Sequence, residues 1–154
     1  MRHNLVIVVL LVGLLLIVTA HSAMGQITIN GGNPLLTVTT GIPGQEPAAV
    51  TNTTCSLRWR RENVITKITV STVCPNQRFS LSVLATNVSH GIAAPEVPLT
   101  NGMPAANFIT SIPTGNPRNK TCTLRYTASA TFSQGNSVEL GNDSYTVTYT
   151  IVQQ

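Results

Sequence analysis

Three cysteines, Cys55, Cys74 and Cys122, are the residues best suited to chemistry in this chain, and two of them sit in an echoed motif. TNTTCSLRWRR at 51 to 61 is answered by RNKTCTLRYTA at 118 to 128. A cysteine can serve as a nucleophile, a metal ligand or half of a disulfide. A nucleophilic thiolate needs a base at hand, and after residue 25 the only histidine is His90. No pair of Cys or His residues has the spacing of a metal site. The carboxylates Glu46, Glu62, Glu96, Glu139 and Asp143 are dispersed. General acid and base work needs two groups held in environments that split their pKa values. These residues imply no catalytic site, no cofactor and no metal, and leave the disulfide as the expected use of the thiols.

A second constellation is cationic. Arg58, Arg60 and Arg61 surround Trp59, which suggests contacts to an anionic polysaccharide, with His90 as a further candidate contact on the stretch 87 to 107. Alternation along a strand, however, sends Trp59 to one face and Arg58 and Arg60 to the other. No block of like charge suits a nucleic-acid arm.

The compartment decides what the thiols do. Arg2 and His3 precede an apolar run from Leu5 to Ala20, followed by small and polar residues, which is the build of a secretory signal peptide. The run is shorter than the roughly 20 residues needed to cross a bilayer. Cleavage is expected before Gln26, with Ala20 as a second site. The expected organisation is therefore a signal segment over 1–25 and one secreted domain over 26–154, touching a membrane only through the signal. That domain carries eight Lys and Arg against five acidic residues, a net charge of about +3. Four sequons, at Asn52, Asn87, Asn119 and Asn142, are about what chance supplies in a chain so rich in Asn, Ser and Thr.

The elements that must hold these residues are strands. Helical periodicity is missing after the signal, while short alternating runs bounded by Gly, Pro and Asn recur. Strands are expected at 27–30, 35–40, 53–61, 66–74, 78–86, 97–100, 108–112, 122–132 and 145–152. Such a count in about 129 residues implies an all-β antiparallel sandwich of seven to nine strands following an N-terminal signal helix. In the last strand, Tyr145 to Ile151, odd positions are apolar and even positions are Thr, so one face packs inward. If the strands at 53–61 and 66–74 form a hairpin with both apolar faces inward, one register sets Glu62 opposite Lys67, Trp59 opposite Val70 and Cys55 opposite Cys74. That register predicts a Cys55–Cys74 disulfide. Cys122 competes, because its strand also turns it inward.

The segment CTLRYTASATFSQGNSVELGNDSYTVTYTIVQQ, with LLTVTTGIPGQEPAAVTNTTCSLRW before it, resembles the strands of bacterial secreted immunoglobulin-like domains of the spore coat protein U and fimbrial pilin type. The resemblance implies an immunoglobulin-like sandwich at a bacterial cell surface, outside the cell or in the periplasm. It also implies a structural or adhesive role with no catalysis, in partnership with itself or other surface proteins by strand addition. The alternative from the residues is an extracellular module binding polysaccharide or peptide through the stretch 87–107.

Overall fold

The computed structural model describes residues 26–39, 44–60, 63–115, 119–134 and 140–154. The expected signal helix, and Arg61 and Glu62, lie outside these residues. Among the described residues there are nine strands: β1 (Ile27–Asn30), β2 (Val50–Arg60), β3 (Thr66–Val73), β4 (Ser80–Thr86), β5 (Ile92–Ala93), β6 (Val97–Pro98), β7 (Ala106–Ile112), β8 (Asn119–Ser129) and β9 (Thr146–Gln153). They form two sheets, ordered β1-β2-β8-β4-β6 and β5-β7-β3-β9. Every pairing is antiparallel. The all-β, two-sheet reading of the sequence therefore holds.

The core lies between the sheets and is built by alternation. Leu57 and Trp59 of β2, Leu124 and Tyr126 of β8 and Val83 of β4 meet Ile68 and Val70 of β3, Ile109 of β7 and Tyr149 and Ile151 of β9. Each fully buried Leu, Ile or Val contributes about 1.5–3 kcal/mol through removal of apolar surface from water. In β9 the odd residues point inward as the sequence implies, with Tyr149 and Ile151 buried and the Thr residues exposed.

Two expectations change. The segment 35–40 is not a strand in its described part, although Leu36 packs against the core. More consequentially, β2 and β3 are not a hairpin. β2 pairs with β1 and β8, whereas β3 pairs with β7 and β9. Inward-facing alternation in consecutive strands is satisfied equally by lying side by side or by facing each other across a core, and here they face each other. The pairs that form match in length. The 11-residue β2 runs along the 11-residue β8, and the 8-residue β3 along the 8-residue β9. The echoed motifs are thus adjacent strands of one sheet, with Cys55 opposite Leu124 and Leu57 opposite Cys122.

One irregularity sets this pairing. The register shifts between Asn52 and Cys55, and Asn52 Oδ1 accepts from the Thr54 N–H at 3.0 Å and the Thr54 hydroxyl at 2.8 Å. The short Asn side chain thereby satisfies the backbone that the bulge leaves unpaired. Gly31, at φ +107°, passes directly over this bulge, and a Cβ there would collide with the Thr54 carbonyl.

The stretch 87–107, the candidate binding segment of the sequence, is tied into the sandwich. It contains β5 and β6 and supplies Val97 and Leu99 to the buried set.

Candidate functional site

The three thiols are buried and free, so the expected Cys55–Cys74 bridge is not formed. Its geometric premise fails, because Cys55 lies on β2 of one sheet and Cys74 directly follows β3 of the other. Cys55 and Cys122 sit on neighbouring strands, one diagonal step apart in the register. Beside them the Tyr126 and Tyr149 hydroxyls are hydrogen-bonded at 2.9 Å in the buried core, joining β8 of one sheet to β9 of the other. Phe108 tilts against Tyr149 with ring centroids 5.2 Å apart. Burial pushes the Cys122 thiol up to about 12. It also raises both tyrosines, Tyr149 further through its proximity to Tyr126. A thiol held protonated in an apolar setting is inert. In the native protein an aromatic disulfide reagent should therefore find almost no reactive cysteine, and after denaturation it should titrate three per chain. One reactive thiol per denatured chain would instead show a disulfide.

The carboxylate of Asp143 is structural as well. Its Oδ2 accepts from the backbone N–H groups of Arg78 at 2.9 Å and Phe79 at 2.8 Å, and the Tyr145 hydroxyl lies 3.3 Å away. Tyr145 in turn donates to the Phe79 carbonyl, and the Arg78 guanidinium to the Leu140 carbonyl. This clasp fixes the entry of β9 against the start of β4. Cys74 lies next to it, its thiol pKa raised by burial first and by the Asp143 charge second. Hydrogen bonds to a charged acceptor contribute about 1.5–3 kcal/mol. Asp143→Ala should therefore lower the free energy of unfolding by about 2–3 kcal/mol in urea titrations.

The remaining candidates are separated. On the outer face of the first sheet, β1, β2 and β8 place side chains in three rows: Gln26, Arg60, Asn119; Thr28, Arg58, Thr121; and Asn30, Ser56, Thr123. The Trp59 indole is fully buried behind them, its Nε1 without a partner, so the aromatic does not share a surface with the arginines. His90 stands beyond β8, where the Ser89 N–H donates to the Thr121 carbonyl at 2.9 Å and the Ser89 hydroxyl accepts from the Thr121 N–H at 2.8 Å. Its Nδ1 is buried without a partner. Among the described residues no group of three or more His, Cys, Asp or Glu is placed to hold a metal.

What the residue inventory missed is a backbone feature. β9 pairs with β3 on one side only, and no described strand pairs with its other side. The Gln154 N–H donates to the Ile65 carbonyl at 3.1 Å, in the same register that sets Thr148 opposite Ser71. In an antiparallel ladder hydrogen-bonded pairs alternate with non-bonded ones. Even-numbered residues of β9 therefore spend their backbone groups on β3, and Val147, Tyr149 and Ile151 aim their N–H and C=O groups at the open edge. The other three edges are blunt. β1 has four residues, while β5 and β6 have two each, the latter ending in Pro98. β9 has eight residues, no charge, no proline and an unbroken register. The strand itself thus carries none of the charges, prolines or bulges that ordinarily protect an edge from pairing with another chain, although β1 of the facing sheet approaches it. No family model, no curated protein and no solved structure matches the chain.

Proposed function

We propose that the chain is a secreted, non-catalytic structural or adhesive subunit of a bacterial surface, and that it assembles by accepting a strand along β9. The observation that carries this reading is the long, uncharged and unprotected edge of β9 in a sandwich whose other edges are short. An added strand would gain backbone hydrogen bonds from Val147, Tyr149 and Ile151, and its alternate side chains would fix the register.

The strand order supports an immunoglobulin-like form of the sandwich. In that fold the strands A, B, E and D make one sheet and C, F and G the other. β1, β2, β8 and β4 follow the order A-B-E-D, and β3 beside β9 follows C beside F. The place that strand G takes beyond F is the open side of β9. A sheet lacking that member in the described residues fits the resemblance to the spore coat protein U and fimbrial pilin group.

The test is size against concentration. Light scattering and negative-stain microscopy should show assemblies growing with concentration, from the protein alone or with another surface protein that donates a strand. A monomer at every concentration, taking up no added strand, overturns the reading.

A further inference from the structure

We propose that the outer face of β1 and β2 is a binding site for an anionic polysaccharide, gripped by Arg58 and Arg60 and hydrogen-bonded by Gln26, Thr28 and Asn30. These residues line one groove of about 130 Å³. It lies on the outer face of the sheet that does not contain β9, although the edge strand β1 approaches β9 across the sandwich.

Three observations converge on this assignment. First, among the described residues the two guanidinium groups have no anionic partner. Neither Arg58 nor Arg60 has a hydrogen-bond or ion-pair partner on its side chain among the described residues. The described carboxylates are engaged elsewhere: Glu46 with the Phe132 N–H, Asp143 with the Arg78 and Phe79 N–H groups, and Glu96 with the Ser82 hydroxyl. Second, the spacing is regular. Residues two apart on a strand project from the same face about 6.6 Å apart, which sets two planar forks side by side. Each fork can hold a carboxylate or sulfate through paired N–H donors. Third, the flanking residues are short hydroxyls and amides. Cross-strand pairing sets Thr28 beside Arg58 and Gln26 beside Arg60, where they can bond the hydroxyls of successive sugar rings. The same surface offers a nucleic acid no stacking platform, because the Trp59 ring is fully buried. Single-stranded nucleic acid is held largely by such stacking.

The experiment measures binding of a galacturonate oligosaccharide to the full chain in dilute solution, beside the same oligosaccharide with its carboxyls methyl-esterified. The charged form should bind and the ester should bind at least tenfold more weakly. The double variant Arg58→Ala with Arg60→Ala should weaken the charged form at least tenfold, and raising the salt should weaken wild type more than the variant. Lys67→Ala, on the opposite sheet, is the control and should bind as wild type does. Circular dichroism confirms that each variant is folded. Acid and ester binding alike, the Lys67 variant weakening as much as the double variant, or single-stranded DNA of equal charge binding more tightly would each overturn the assignment.

Discussion

Replacing Val147 by Pro should abolish assembly and leave the monomer folded, whereas replacing its neighbour Thr148 by Pro should unfold the sheet. The two positions differ in the direction of one N–H, and in that Val147 is half-buried against the core while Thr148 is exposed on the other face. The Gln154 N–H to Ile65 carbonyl bond fixes the phase of the β9 to β3 ladder, and from it the Thr148 N–H points at Ser71 and the Val147 N–H at the open edge. Proline is tolerated in an edge strand where the missing donor faces solvent, and not where it serves the ladder. Thr148→Pro loses a ladder bond and strands a carbonyl on the already buried strand β3, a cost of about 2–4 kcal/mol. Val147→Pro removes no existing hydrogen bond and loses only part of the half-buried Val147 packing, so it should cost about 1 kcal/mol in urea titrations, clearly less than Thr148→Pro. Its effect appears instead in light scattering, where an incoming strand meets a ring in place of a donor. Equal destabilisation by the two substitutions would refute the phase. Assembly of the Val147 variant at the wild-type rate would refute the edge as the site of growth.

Such a pair of substitutions could not have been chosen from the sequence, and the reason is physical. Alternation fixes which face of a strand is buried. The pattern Tyr145 to Ile151 was enough to turn Tyr149 and Ile151 inward, and Cys55, Leu57 and Trp59 likewise. Alternation does not identify the strand alongside. The same inward residues suit a hairpin between β2 and β3 or two strands facing across the core, and the Cys55–Cys74 bridge was tied to the wrong choice. Edge or centre is equally invisible, because the backbone groups that make β9 an open edge are present in every residue. The cationic site was half legible. Arg58 and Arg60 announce themselves by type, but Gln26, Thr28 and Asn30 become their neighbours only through the antiparallel pairing of β1 with β2. The residue most conspicuous beside those arginines in sequence, Trp59, belongs to the opposite face.

The second large effect should come from alkali. The buried cluster of Cys122, Tyr126 and Tyr149 holds groups whose charged forms the core disfavours, and the sign of the linkage follows. Cys122 ionises in the unfolded chain near 9.0 and in the folded chain near 12, burial being the leading cause. Between these values the native state binds a proton that the unfolded state has released. Stability is therefore fully present below pH 9 and falls as pH rises through that window. The thiol contributes up to about 1.4 kcal/mol per pH unit and about 4 kcal/mol across the whole interval. Tyr126, Tyr149 and Tyr145, all raised from 10.0, act in the same direction and enter about one pH unit later, because an unfolded tyrosine is half ionised near pH 10. Near pH 9 the loss is therefore led by the thiols, Cys122 together with Cys74, whose pKa is also raised, and the tyrosines join it by pH 10. Urea titrations at pH 8, 9, 9.5 and 10 should show a steepening loss in wild type and a shallower one in Cys122→Ala, after subtraction of that variant's constant packing loss at pH 8. A flat profile to pH 10, or identical slopes in the two proteins, would mean that the Cys122 thiol is not held in the apolar contact between the sheets. It would remove with it the buried seam that joins β8 to β9 and keeps the open edge in place.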